Sequence, residues 1–123
     1  MTNLELIATV RTHLLQQGVK SINPTTLRCL YRGPNGTKCA IGCLIPDDKY
    51  EERFEKHGFS AWPDTTPGSI LTALRKATGL SLSQLPLAGR LQAVHDHYPV
   101  EEWVAQLDSI ETEERASTPN CAT

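Results

Sequence analysis

Cys29, Cys39 and Cys43 crowd one stretch of the chain, and His57 and His95 could join them from farther along. Thiolate and imidazole are the usual ligands of zinc, and a thiol beside an imidazole can also make a nucleophile. Nine residues separate Cys29 from Cys39 and three separate Cys39 from Cys43. A structural zinc site normally uses tight Cys-x-x-Cys knuckles and a full set of four ligands. A set of Cys29, Cys39, Cys43 and His95 can be drawn, since residues four apart share a helix face. Small cysteines filling a tight core are the more economical alternative. Catalysis would need Cys39 acidified by Lys38 and a helix start, with His95 or His97 as base. The flanking Ala40-Ile41-Gly42 and Leu44-Ile45 read as core, so no catalytic residue is assigned and no cofactor is expected beyond the zinc alternative.

Two further stretches carry chemistry. In His95-Asp96-His97, neighbouring residues on a helix diverge, so the three do not converge on one ion; histidine near the last carbonyls of a helix is favourable in itself. In Arg32-Gly33-Pro34-Asn35-Gly36-Thr37-Lys38, a glycine turn lies between two cations. Exposed amides plus cations can hold an anion such as a phosphate, with Arg28, Arg32, Gly33, Asn35, Gly36, Thr37 and Lys38 as the candidate residues. There is no Walker or dinucleotide-binding pattern. Trp62 and Phe59 lie in an aromatic loop that could anchor a protein partner, whereas Trp103 sits on an apolar helical stripe.

The elements that must position these groups are mostly helical. Leu4, Ile7, Val10, Leu14 and Leu15 fall near one face of a helix over 3–17, with Thr2 or Asn3 as N-cap and Gly18 closing it. The spacing predicts a strand over 27–32, then a tight turn at Pro34-Asn35-Gly36 that pairs Gly33 with Thr37. That register sets Tyr31 opposite Cys39 and Cys29 opposite Ile41, before a helical turn that Pro46 limits. Further helices are expected over 47–57, from Thr66-Pro67 to the residue before Gly79, over 87–98, and after Pro99, where Val100, Trp103, Val104, Leu107 and Ile110 keep an apolar stripe. The fold class expected is therefore α+β and predominantly helical, with four to five helices around one short antiparallel hairpin. Residues 1–112 would form a single domain and 113–123 a polar, flexible tail.

Charge is unevenly distributed. Leu6 to Pro46 contains no Asp or Glu but holds Arg11, Lys20, Arg28, Arg32 and Lys38; with Glu5 the first 46 residues sum to 5 − 1 = +4. From Asp47 onward 13 acids face seven bases, 7 − 13 = −6, which gives the overall −2. That balance argues against a dedicated duplex-DNA binder. No apolar run approaches membrane-spanning length, and Met1-Thr2-Asn3-Leu4-Glu5 lacks the features of a secretory leader. The expectation is a soluble cytoplasmic protein whose thiols stay reduced. The stripe on the last helix would serve an internal core or a homo-oligomer equally well.

The run from Cys29 to Asp47 contains Cys-x-Tyr-Arg, then Gly-x-x-Cys-Ala-Ile-Gly-Cys-Leu-Ile-Pro-Asp. With His13-Leu14-Leu15-x-Gln17, Tyr50, Leu91-Gln92-x-x-His95-Asp96 and Trp103, it resembles a family of small, largely uncharacterised proteins of tailed phages and prophages. The resemblance covers most of residues 4–110. It implies a non-enzymatic phage-type accessory protein in a bacterial host cell. Such a protein would act by binding a host or defence protein, with inhibition of an antiphage defence system as one outcome. A binder of a small anionic nucleotide and a zinc-stabilised interaction domain are the alternatives.

Overall fold

The computed structural model describes residues 1–59 and 66–117. Four α-helices are present among them: α1 (Asn3–Gln17), α2 (Ile70–Thr78), α3 (Leu85–His97) and α4 (Trp103–Ser117). Thr2 caps α1 with a reciprocal capping box to Glu5, and Gly18 closes it in the left-handed region at φ 68°. Ile7, Val10 and Leu14 are buried as the spacing requires; Leu6 is buried beside them, whereas Leu4 is only half-buried and Leu15 is exposed. The helix α3 follows a short 3-10 turn at Leu82–Gln84, with Pro86 in its first turn. The chain then turns at Pro99 into a 3-10 turn at Val100–Glu102, and α4 follows. On α4, Trp103, Leu107 and Ile110 are buried and Val104 is exposed. The helices α1, α3 and α4 pack on one another, and their shared core takes in Ala40, Ile41 and Phe54 from the irregular middle of the chain. No helix among the described residues is long and apolar enough to cross a membrane.

The expected α+β class is overturned: the described residues are helical and carry no sheet, hence no hairpin across Pro34–Gly36. Cys29 instead pairs backwards, in an isolated antiparallel bridge with Ile22. The amides that a hairpin ladder needs are taken elsewhere. Those of Tyr31 and Arg32 each donate to the Glu55 carboxylate at 2.9 Å. The would-be second arm winds up instead, with the Cys43 amide on the Cys39 carbonyl at 3.1 Å and the Ile45 amide on the Gly42 carbonyl at 3.2 Å. What survives is the turn itself. Asn35 is left-handed at φ 60°, and the Gly33 amide donates to the Thr37 carbonyl at 2.8 Å.

Three helix boundaries also differ. Asp47 to His57 forms two 3-10 turns, Asp47–Lys49 and Glu52–Lys56, because only Phe54 there is buried and Glu51 is extended between them. The helix expected from Thr66-Pro67 begins at Ile70, where the Ser69 hydroxyl accepts the Thr72 amide at 3.0 Å. At the other end α4 continues through Ser117, and there Glu113 bonds Arg90 at 2.6 Å and Glu114 accepts from Asn3 at 2.9 Å.

Candidate functional site

Gln92, His95 and Asp96 lie at i, i+3 and i+4 of α3, so one face of the helix presents three polar side chains to the irregular segment 20–45. Gln92 accepts the Ile41 amide at 2.9 Å through Oε1, and its Nε2 donates to Asp96 Oδ1 at 2.9 Å. His95 is fully buried and stacks on Trp103, with ring centroids 5.7 Å apart. The Ser21 amide donates to its Nε2 at 2.9 Å. The ring proton therefore sits on Nδ1, which donates to Asp96 Oδ1 at 2.8 Å. This contact is a hydrogen bond from a neutral imidazole to a carboxylate. The Cys29 thiol faces the same carboxylate, its sulfur within 4.8 Å of an Asp96 oxygen.

The electrostatics follow from this wiring. Burial raises the Asp96 carboxyl, but the hydrogen bonds from His95, Cys29 and Gln92 outweigh it and hold the group below the usual carboxylate range. Burial, the bond to Asp96 and its charge push the Cys29 thiol up to about 12. Burial pushes Cys39 up to about 12 as well, although amides from Gly42 and Ile41 and the Gln92 side chain oppose it. Cys43 is raised to about 12 by burial. The thiols are thus protonated at neutral pH and poorly nucleophilic. Lys38 opposes the shift at Cys43, not at Cys39, and both nitrogens of His95 are already bonded. His97 is exposed at the end of α3.

Of the residues drawn together for zinc, the structure converges Cys29 and His95, and it adds Asp96; their ligand atoms lie within 4.8 Å of one another. Cys39 is outside that cluster. Cys43 points away and donates its thiol to the Ala40 carbonyl at 3.0 Å. His57 contributes its backbone carbonyl, which accepts from the Tyr31 hydroxyl at 2.9 Å.

The cationic turn is arranged differently from the anion cradle that its sequence suggests. Arg32 donates to Asp47 Oδ1 at 2.7 Å and to the Ile45 carbonyl at 2.8 Å, and it lies over the Tyr50 ring. Lys38 Nζ is 4.0 Å from the same Asp47 oxygen. Gly33 and Thr37 use their amides within the turn, whose Asn35 and Gly36 are exposed. Arg28 stands apart from these groups.

Arg28, Cys29, Cys39, Glu55, Phe59 and Asp96 are among the residues around a pocket of about 60 Å³. Trp62 lies outside the described residues. The sequence signal for this site was the polar triplet Gln92, His95 and Asp96 on a helix that otherwise buries Leu91 and Val94. Glu55 and Ser21 carried no such signal. In comparisons with known proteins, no family model, no curated protein and no solved structure matches this chain.

Proposed function

We propose that this chain is a non-enzymatic binding protein that engages a protein partner through the loop between Ile22 and Cys29. The observation that carries this is Leu27, which is 69% exposed and held at φ 62°. A leucine in the left-handed region costs about 1–2 kcal/mol, so the loop must be held there by its bonds. Asn23 supplies them: its side chain accepts the Thr25 and Thr26 amides at 2.8 and 3.1 Å, and its carbonyl accepts the Leu27 amide at 2.7 Å. The Asn23 amide donates to the Arg28 carbonyl at 2.8 Å and closes the loop. A pre-organised apolar side chain loses little freedom on docking. Arg28 and Lys20 form no ion pair among the described residues, so the complementary surface is an apolar hole with an acidic rim. The resemblance to tailed-phage proteins supports a bacterial host or defence protein as that partner.

A pull-down from bacterial lysate with wild type, Leu27→Asp and the surface control Val104→Asp tests the proposal. A specific partner kept by wild type and V104D but lost by L27D is the expected result. No specific partner, or one that L27D retains, overturns it. The anionic-nucleotide alternative has less support, because Arg32 and Lys38 already face Asp47. Zinc at Cys29, His95 and Asp96 is a second reading, supported by their convergence. It requires His95 to release either the Ser21 amide or its bond to Asp96, so metal analysis of protein purified without chelator, finding less than stoichiometric zinc, removes it.

A further inference from the structure

The pocket beside Cys29 holds charges of both signs that do not meet. Arg28 lines it and is exposed, with no ion pair or side-chain hydrogen bond among the described residues. Asp96 lines it and is half-buried. Its Oδ1 takes the nitrogen donors of both Gln92 and His95, its Oδ2 receives neither, and the weakly donating Cys29 thiol is the other group close to the carboxylate. The other acid of the pocket, Glu55, is saturated: Tyr31 and Arg32 amides occupy its two oxygens, and the Tyr50 hydroxyl adds a third bond at 2.6 Å. The thiols of Cys29 and Cys39 complete the wall as neutral groups.

We propose that this pocket binds a small zwitterion, an α-amino acid of about glycine or alanine size, with its ammonium on Asp96 and its carboxylate on Arg28. The charge pattern selects for this class. A simple anion would meet the Asp96 carboxylate, and a simple cation would meet the Arg28 guanidinium; only a ligand with both signs satisfies both groups. Size selects again. A pocket of about 60 Å³ has room for about two water molecules at about 30 Å³ each, which admits the ammonium end of a small amino acid while its carboxylate meets exposed Arg28 at the mouth, and excludes a nucleotide. This site shares Arg28 with the Leu27 partner surface but does not need Leu27, so a Leu27→Asp protein that loses its partner should still bind the amino acid.

Thermal unfolding of the full chain with glycine, L-alanine, methylammonium, acetate and glycine betaine is the test, on wild type and on Arg28→Gln. Arg28 is exposed and holds nothing in place, so R28Q melts like wild type without ligand. Wild type should show a saturable rise in melting temperature with glycine and alanine. Each half-ligand, methylammonium or acetate, should bind at least about tenfold more weakly, as expected for loss of one charge-assisted contact. R28Q should lose the saturable response. Three results overturn the proposal. One is a rise that does not saturate and is shared with betaine and R28Q, which is osmolyte exclusion. Another is methylammonium binding as tightly as glycine, and the last is no response to any probe.

Discussion

Replacing His95 with leucine removes two hydrogen bonds from a fully buried position while keeping an apolar side chain of similar bulk. The Ser21 amide, in a residue that is itself fully buried, loses its acceptor; an unsatisfied buried donor costs about 1–3 kcal/mol. Asp96 loses one donor, and a bond to a charged group contributes about 1.5–3 kcal/mol. Leucine recovers about 1 kcal/mol through its apolar surface. The net loss expected for His95→Leu is then about 2–5 kcal/mol, a large share of the 5–15 kcal/mol that typically separates folded from unfolded domains. At about 3–6 °C per kcal/mol for a chain of this size, the melting temperature should fall by about 6–30 °C. Urea unfolding followed by circular dichroism gives the free energy, and amide exchange locates it: Ser21 should lose protection more than the core amides of α1 do. A double-mutant cycle with Asp96→Asn should give a coupling of about 0.5–3 kcal/mol. An H95L protein within about 0.5 kcal/mol of wild type, with Ser21 still protected, would refute the assignment of His95 as the lock between α3 and the 20–31 segment.

Gly42→Ala should be among the most damaging single-methyl changes, because a Cβ there would be driven into the Tyr31 carbonyl. The obstacle is backbone, so a loss of about 2–4 kcal/mol in urea unfolding is expected, and a neutral G42A would show that the two segments do not touch. In a Cys121→Ser background, native Cys29, Cys39 and Cys43, all raised to about 12, should react with a disulfide reagent at pH 8 at least about a hundredfold more slowly than in denaturant; fast native labelling would contradict the burial of Cys39 and the half-burial of Cys29 and Cys43. Asp96 sets an acid limb. Burial raises its carboxyl, but bonds from His95, Cys29 and Gln92 outweigh this and leave it below the ordinary carboxylate range, so the unfolded state binds more protons in acid. Its contribution to stability is whole above the ordinary carboxylate value and is lost as pH falls through the lower folded value. Wild type should therefore lose stability below about pH 4 more steeply than Asp96→Asn, and parallel curves would show that Asp96 gains nothing from folding.

Much of the helical frame was legible in the sequence, and the reasons are local. Thr2 with Glu5, Gly18, Gly79 and Pro99 mark helix ends by chemistry confined to a few residues. The middle of the chain was misread for the opposite reason. Alternating Cys29 and Tyr31 before a Pro-Asn-Gly turn satisfies every local rule for a hairpin. The outcome was decided by side chains far away in sequence: Glu55 captured the amides of Tyr31 and Arg32, and Gln92 captured that of Ile41. Local pattern cannot register such a competition, because the backbone groups on offer are identical in both folds. The metal set was legible only in part, since Cys29 and His95 of that set do converge. Spacing placed Cys39 with Cys43, whereas the fold turned Cys43 onto Ala40 and brought Asp96 to Cys29.

The residues that drew attention as a motif now have a shared role. His13 and Gln17 of α1 both donate to the Lys38 carbonyl, at 2.8 and 2.9 Å, and Gln17 also accepts the Lys38 amide at 2.8 Å. Gln92 and His95 accept the Ile41 and Ser21 amides from α3, and Asp96 accepts from both side chains and so orients them. Two helices thus grip one irregular segment by its backbone, and each gripping side chain belongs to a motif piece that stood out in the sequence. Such residues are constrained by the fold whatever the protein binds, so their prominence says little about a ligand. Leu27, Lys20 and Arg28 belong to no such grip. Their side chains are dispensable for the bonds that shape the chain, while the loop presenting Leu27 is held in a conformation that costs free energy. Recognition is therefore best sought beside the motif, on groups that the clamp positions but does not use.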